Sequence, residues 1–527
     1  MVKGFRQIAI LTVASRILGL IRDMAFAFFL GAGGIFDGWA IAFKIPNLAR
    51  RIFGEGAAAA SFIPVYSQEL QQNPKQANKL AYTIVTVIFL LLAIITIIGE
   101  GVIWGYYTFF SKYPSTDLKL SLAGIMLPYM ILICVVAILA GILQTHRHFA
   151  APAAAPIILN IFIIGSLCFS GWVLSIRPER LVFIVAVAVI IAGFVQLSTQ
   201  IIPLRNRGIH IRPTWEIHSE AFKKIIFMMG PMILGLTVTQ INTLADDLIA
   251  VWFSGSAEKG EFFIWLGRQI KYPLWDGAVS QLYYSQRLYQ FPLGVLGISL
   301  ATAIFPVMSS DAAKKDMVAL RQTISRGLRG TIFIAIPAAA GLILVKQPLI
   351  KLLFERGQFS SSDTMMTAAV LSFYAIGLCG FFLQQIVTRA FYSIQDSKMP
   401  ARTALLAVVV NIILNLTLIW FMGAPGLALS TSVCSYLQVV ILVALLDRRF
   451  EGPITRGLFT TIIKTAIATA IMYAIASLVL KATEQMPAGL KFEIARIIAV
   501  VLSAVLVYAA AAKALRIEML GLLTGQK

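Results

Sequence analysis

Apolar runs of about 20 residues, each able to cross a hydrocarbon core of about 30 Å as a helix, recur from one end of the chain to the other. In lipid such runs have one main solution. No water is present to satisfy backbone N–H and C=O groups, so each run closes its own hydrogen bonds as a helix. The short polar breaks between runs leave no space for a sizeable soluble domain. Composition agrees: 59% of the residues are hydrophobic and 13% charged, whereas soluble domains carry about 25% charged residues.

Runs bounded by charges or by Pro and Gly predict an all-α polytopic membrane protein of about 14 transmembrane helices. The first is expected at 6–30, the second at 34–68 and the seventh at 224–253. The second is too long for one straight crossing and holds Pro46, Gly54 and Gly56, so a kink or break is expected there. Lys3 and Arg6 precede the first run as in a signal peptide. That run is longer, carries Arg16, Arg22 and Asp23, and lacks a clear cleavage site, so it reads as a retained helix.

The net charge of +20 would suit a nucleic-acid surface. The lysines and arginines instead occupy the breaks, where the positive-inside rule places them, and nucleic acid is not an expected partner. Alternate breaks differ about twofold in Lys and Arg content, which puts both termini in the cytoplasm. Cys134, Cys168, Cys379 and Cys434 all lie inside apolar runs without paired spacing. They read as small buried hydrophobes.

A faint internal echo divides the chain. Gln144 to Asn160 and Gln395 to Asn411 share the order of polar break, proline (Pro152, Pro400), apolar run and asparagine. This fits two homologous six-helix lobes, 1–222 and 223–450, followed by two extra helices in 451–527.

Charges inside the spans carry the functional information. The first two spans hold Arg16, Arg22, Asp23, Asp37, Lys44, Arg50, Arg51 and Glu55. At a lipid-facing helix centre each would cost about 2.5–3.5 kcal/mol, so they must face protein or water. Asp37, Lys44, Arg51 and Glu55 fall within about 40° of one helical stripe, and Arg16 and Asp23 share a face. Structural ion pairs, such as Arg51 with Glu55 at i, i+4, are one reading. The other is a water-filled cationic cavity visited by an anion, with Arg287 and Arg389 adding to the surplus, since arginine's planar fork suits phosphate.

Asp246 and Asp247 lie in the seventh span, and Asn411, Asn415 and Thr431 are polar positions in later ones. Carboxylate, amide and hydroxyl oxygens could ligate Na⁺ or relay a proton, or could simply hydrogen-bond packed helices together. The remaining features are weaker. Gly31-Ala-Gly-Gly34 reads as a turn. His146 and His148 read as solvated beside Arg147, and Lys351 to Gln358 as a short re-entrant or interfacial piece. No nucleophile-and-base set, carboxylate pair or metal cluster commits the chain to catalysis, so no enzyme is expected.

Ser15-Arg16-Ile-Leu-Gly-Leu-Ile-Arg22-Asp23 and Phe43-Lys44-Ile-Pro46-Asn47-Leu-Ala-Arg50-Arg51-Ile-Phe-Gly-Glu55-Gly56-Ala57 closely resemble the N-terminal signature of the MurJ/MviN family. The similarity continues in Arg287-Leu-Tyr-Gln-Phe-Pro292, Phe354-Glu-Arg-Gly357-Gln-Phe359 and Phe391-Tyr392-Ser-Ile-Gln-Asp396, and covers the whole chain. That family comprises lipid II flippases of the multidrug/oligosaccharidyl-lipid/polysaccharide exporter superfamily.

The resemblance implies two six-helix lobes around a central cavity, alternating access, and a groove at the last two helices for the polyprenyl tail. It implies Arg16, Arg22, Arg50 and Arg287 as substrate contacts, with Asp23, Asp37, Lys44, Asn47, Arg51 and Glu55 as their supporting shell. Many relatives carry an acidic residue just before the later arginine, where this chain has Gln286. Some relatives bind Na⁺ between the seventh, eleventh and twelfth helices, and Asp246 or Asp247, Asn411, Asn415 and Thr431 resemble that set.

The expected function is therefore flipping of lipid II, the peptidoglycan precursor, across the bacterial inner membrane. No cofactor is expected beyond Na⁺ or proton coupling. The expected partners are lipid II, membrane lipids and cell-wall synthesis proteins. The alternatives are an exporter of another polyprenyl-diphosphate-linked saccharide and a membrane-embedded prenyl-diphosphate transferase. The transferase would normally need clustered carboxylates for Mg²⁺, which the sequence does not offer.

Overall fold

The computed structural model describes residues 2–110, 114–450, 452–485, 487 and 489–524. The chain is almost entirely helical. In order, α1 is Val2–Leu30, α2 Gly34–Ala49, α3 Ala57–Gln72, α4 Pro74–Phe110, α5 Pro114–Met126, α6 Tyr129–Thr145, α7 Ala150–Cys168, α8 Pro178–Arg205 and α9 Glu220–Trp252. There follow α10 Ala278–Pro292, α11 Ser299–Ala313, α12 Met317–Phe354, α13 Ser361–Ser393, α14 Lys398–Met422, α15 Ala424–Asp447, α16 Leu458–Ala482, α17 Leu490–Ala514 and the short α18 Glu518–Thr524. Four short strands lie between α9 and α10: β1 Ser254–Gly255, β2 Phe262–Trp265, β3 Arg268–Lys271 and β4 Leu274–Trp275.

Among the described residues, 11 helical stretches are long and apolar enough to cross a membrane. The other expected spans, at 6–30, 34–68 and 224–253, are also helical. The break expected in the second span is real. Pro46 cannot supply a backbone N–H, and the helix widens into a π-helical segment at Arg50–Gly56 before α3 resumes. Gly31 to Gly33 form the expected turn between α1 and α2, with Gly31 at φ 68°.

One expectation is corrected. Lys351 to Phe354 is no separate re-entrant piece but the last turn of α12, which accommodates Pro348 within its length. Beyond it the Gln358 N–H donates to the Phe28 carbonyl at 2.9 Å.

The internal echo has a structural counterpart. Arg147, between α6 and α7, and Gln395, between α13 and α14, both adopt left-handed backbone, with φ 57° and 59°. Each turn then leads to a helix with a buried asparagine, Asn160 or Asn411.

Contacts group the chain into two compact units. The first comprises Met1–Asp247, Ser254–Ser280 and Gly357–Phe359, and the second Leu248–Phe253, Gln281–Arg356 and Ser360–Lys527. In the first unit α1 packs on α7, α2 on α5, and α6 and α7 on α8. A run of buried rings, Phe26, Phe36, Trp39 and Phe43, fills the angle between α1 and α2, with the Phe26 and Trp39 centroids 4.1 Å apart. On α8, Gln196 and Gln200 donate to the Ala155 and Ala151 carbonyls of α7 at 2.6 and 2.9 Å, the polar glue that suits helices lacking a hydrophobic drive to associate in lipid.

In the second unit α13 and α15 pack closely. A Cβ on Gly377 or Gly380 would stand 2.2 or 2.3 Å from the hydroxyl of Ser432 or Ser435, so only glycine permits this approach. The last two spans, α16 and α17, pack on each other and on α12 through Leu344, Val345, Met472, Ala476, Val500 and Ala504.

Candidate functional site

Of the charged stripe foreseen on the second span, Lys44 and Arg51 find partners on α9. Lys44 ion-pairs with Asp247 and also donates to the Thr243 carbonyl at 2.7 Å. One heptad further on, Arg51 donates to the Gln240 side chain at 3.1 Å. Seven residues separate Lys44 from Arg51, and seven separate Gln240 from Asp247 in the reverse order, so α2 and α9 run antiparallel with matched helical repeats. The spacing Gln240, Thr243, Asp247 at i, i+3, i+7 was present on α9 as a signal of this face. Only Asp246 and Asp247 had been singled out there.

Asp37 sits at the other end of the stripe and has a different task. Its carboxylate accepts from the backbone N–H groups of Gly277 and Ser280, both at 2.7 Å, and from the Ser280 hydroxyl. These donors belong to the opening turn of α10, whose first N–H groups have no intrahelical partner. Asp37 therefore caps α10 from a distant helix, with its negative charge at the positive end of the helix dipole.

On α1, Arg22 and Asp23 form a buried pair at 2.8 Å. The same guanidinium donates to Asn160 Oδ1 on α7 at 3.1 Å, and the Asn160 amide donates to the Ser15 carbonyl at 3.3 Å. Asn160 had been noticed only as part of the echo. Asp23 thus pairs with its neighbour and not with Arg16, one heptad away. Arg16 is exposed, Arg50 half-buried at the start of the π-helical segment, and Asn47 donates back to the Phe43 carbonyl at 3.1 Å. The Glu55 side chain, and with it any Arg51–Glu55 pair, lies outside the described residues.

In the second unit Arg287 is exposed and lies over the Tyr283 ring, 4.6 Å from its centroid, while donating to the Tyr283 hydroxyl at 3.1 Å. Gln286 donates to the Tyr374 hydroxyl at 3.1 Å. Arg389 donates to Thr302 at 3.1 Å. The expected ion ligands divide between the units. Asp246 and Asp247 are buried in the first. In the second, Asn415 donates to Asn411 at 2.9 Å and Asn411 to Thr431 at 3.4 Å. Among the described residues no group of three or more His, Cys, Asp or Glu is placed to hold a metal ion.

The two histidines at the turn after α6 are engaged, which corrects their reading as merely solvated. His146 Nε2 lies 3.0 Å from the Tyr66 hydroxyl, and His148 Nδ1 accepts from Arg207 at 3.2 Å. Burial lowers both imidazole pKa values, and the Arg207 charge lowers them further, so both rings are neutral at pH 7.

Formal charge and accessible charge differ at these helices. Arg16, Arg22, Lys44, Arg50 and Arg51 are matched in number by Asp23, Asp37, Glu55, Asp246 and Asp247. Four of those carboxylates are no more than 5% exposed, and three are engaged by Arg22, Lys44 or the start of α10. Arg16 and Arg51 in one unit, and Arg287 in the other, are exposed. A guanidinium carries a planar fork suited to bidentate contact with phosphate oxygens.

The family model described as lipid II flippase MurJ matches residues 26–511. A probable lipid II flippase MurJ of Vibrio cholerae is 32% identical over 479 residues, covering 88% of this chain and 86% of that protein. One of Rickettsia prowazekii is 30% identical, covering 90% and 89%. The solved structure of a lipid II flippase MurJ in an inward closed conformation shares the fold, with TM-score 0.75 and 24% identity over 96% of this chain and 99% of that one. An inward-facing multidrug transporter of the MATE family has TM-score 0.61 and 13% identity over 82% and 94%.

Proposed function

Because the chain belongs to the lipid II flippase MurJ family, we propose that it carries lipid II from the cytoplasmic to the periplasmic leaflet by exposing a cationic site to the two sides in turn. The observation that carries this reading is the segregation of charge by exposure, with buried carboxylates and accessible arginines. A diphosphate leaving water loses strong hydration, and charge-assisted, forked hydrogen bonds from Arg16, Arg50 and Arg287 would replace it. The polyprenyl tail stays in lipid. Guanidinium groups cannot be deprotonated in proteins, so release must come from a change in geometry.

The fuller reading has two six-helix lobes, 1–222 and 223–450, with 451–527 serving the lipid tail. Both termini face the cytoplasm of a bacterial inner membrane. Na⁺ or proton coupling would draw on the buried carboxylates Asp246 and Asp247 of the first unit or on Asn411, Asn415 and Thr431 of the second. A reporter enzyme active only in the periplasm, fused after Lys527, is expected to stay inactive, and activity would overturn the sidedness.

The function itself is tested in vesicles containing only this protein and fluorescent lipid II. Protein-dependent loss of probe from the loaded leaflet is expected, with a rate that responds to an imposed potential worth about 2.3 kcal/mol per charge per 100 mV. Failure to move lipid II, together with movement of a different polyprenyl-diphosphate-linked saccharide, would replace this substrate with that one.

A further inference from the structure

The connection between α9 and α10 presents an exposed apolar surface. β2 and β3 pair antiparallel in the register Phe262↔Lys271, Phe263↔Ile270, Ile264↔Gln269 and Trp265↔Arg268. The two residues between them, Leu266 and Gly267, both have positive φ, 48° and 77°. A two-residue turn with positive φ at both positions normally takes Asn, Asp or Gly, and a bulky residue there is strained. Here a leucine occupies it, 91% exposed, beside Ile264 at 77% and the exposed Phe262 and Trp265. A strained, exposed apolar tip implies an apolar medium that receives it.

Two features decide which medium. The hairpin is held at both ends to helices of the membrane domain. β1 and β4 pair at its base as Ser254↔Leu274 and Gly255↔Trp275, α9 ends at Trp252, and α10 begins at Ala278. Asp276 at the base lies 3.7 Å from Lys119 of α5. Four residues at about 3.3 Å each give the strands a reach of about 13 Å, enough to cross the interfacial layer of about 5–8 Å on each side of the hydrocarbon core. The composition is also interfacial. Aromatic rings sit opposite cations, Trp265 across from Arg268 and Phe262 across from Lys271, as in the belts that anchor proteins at the headgroup level. The sheet has only two strands, so β2 keeps an open backbone edge that headgroups and water can satisfy but hydrocarbon cannot.

We propose that this hairpin lies in the headgroup interface of the leaflet at which α9 ends. Ile264, Trp265 and Leu266 dip among the upper acyl chains, Arg268 and Lys271 meet lipid phosphates, and the hairpin anchors the start of α10 at that surface.

The test places a nitroxide on Leu266→Cys, on Ile264→Cys and, as an aqueous control, on the exposed Ala257→Cys. The parent protein has its four native cysteines replaced and is shown to retain transport. Collision rates with oxygen and with a water-soluble nickel chelate are measured in phosphatidylethanolamine/phosphatidylglycerol vesicles. The oxygen-to-nickel ratio is expected to be several-fold higher at 264 and 266 than at 257. Equal ratios at all three sites overturn the proposal. So does a tip that is water-like in vesicles of pure protein but shielded from both reagents in native membranes, which would assign the hairpin to a protein partner. All three labels sit on exposed positions, so folding is not at stake.

Discussion

Alanine at Arg16, Arg50 or Arg287 is expected to abolish lipid II flipping while leaving the amount of protein in the membrane unchanged. Each loses a charge-assisted contact to the diphosphate, worth about 1.5–3 kcal/mol, or roughly 10- to 150-fold in affinity. Lysine should restore little, because an ammonium keeps the charge and loses the fork. Arg16 and Arg287 are exposed and Arg50 is half-buried, so their removal empties no packed core and eases insertion.

Arg22 should behave differently. It is buried against Asp23 and Asn160, and alanine there strands a buried carboxylate, at a cost of about 3–5 kcal/mol. Its variant should therefore show reduced protein content as well as lost transport. Flipping in vesicles, normalised to protein by immunoblot, separates the two classes. Wild-type rates in all three alanine variants at Arg16, Arg50 and Arg287 would sink the cationic-site mechanism.

The charged stripe of the second span was legible because 100° per residue brings Asp37, Lys44 and Arg51 onto one side of any helix, whatever surrounds it. Its partners were not legible. Lys44 and Asp247 lie some 200 residues apart, and no local pattern says which distant helix will supply a counter-charge. For the same reason the sequence could not show that Arg22 donates to Asn160, since only the fold brings the two together. Asp37 looked like a member of an ion-pair network, yet its partners are two backbone N–H groups and the Ser280 hydroxyl, and backbone donors leave no mark in the side-chain sequence.

The hairpin escaped notice because β2, Phe262 to Trp265, is apolar at every position. Without a period of two it read as part of a break between spans. The end of α12 was misplaced because Lys346, Pro348 and Lys351 together look like a terminus. In the fold, Lys346 donates to Ser372 at 2.6 Å and the helix continues.

Removing Lys44 alone is expected to be among the most destabilising single changes in the first unit, and removing both members of its pair nearly harmless. Asp247 is almost fully buried, so Lys44→Ala leaves a carboxylate with neither water nor counter-charge, at about 3–5 kcal/mol. Asp247→Ala should cost less. The ammonium keeps its bond to the Thr243 carbonyl, and its side chain is 23% exposed. A Lys44→Met, Asp247→Leu double variant replaces the pair with apolar groups and should recover most of the stability, so the two effects are strongly non-additive.

Thermal unfolding of the purified variants in detergent gives the cycle directly, and a Lys44→Ala protein as stable as wild type would show that the pair ties nothing. The same pair bears on ion coupling. In the proposed ion coupling Asp246 and Asp247 are the candidate carboxylates, and Asp247 is tied to Lys44. Asp246→Asn should alter the Na⁺ or pH dependence of flipping, whereas Asp247→Asn should act mainly through stability. Unchanged ion dependence in a well-folded Asp246→Asn protein removes the carboxylate from the coupling mechanism and leaves it a packing role between helices.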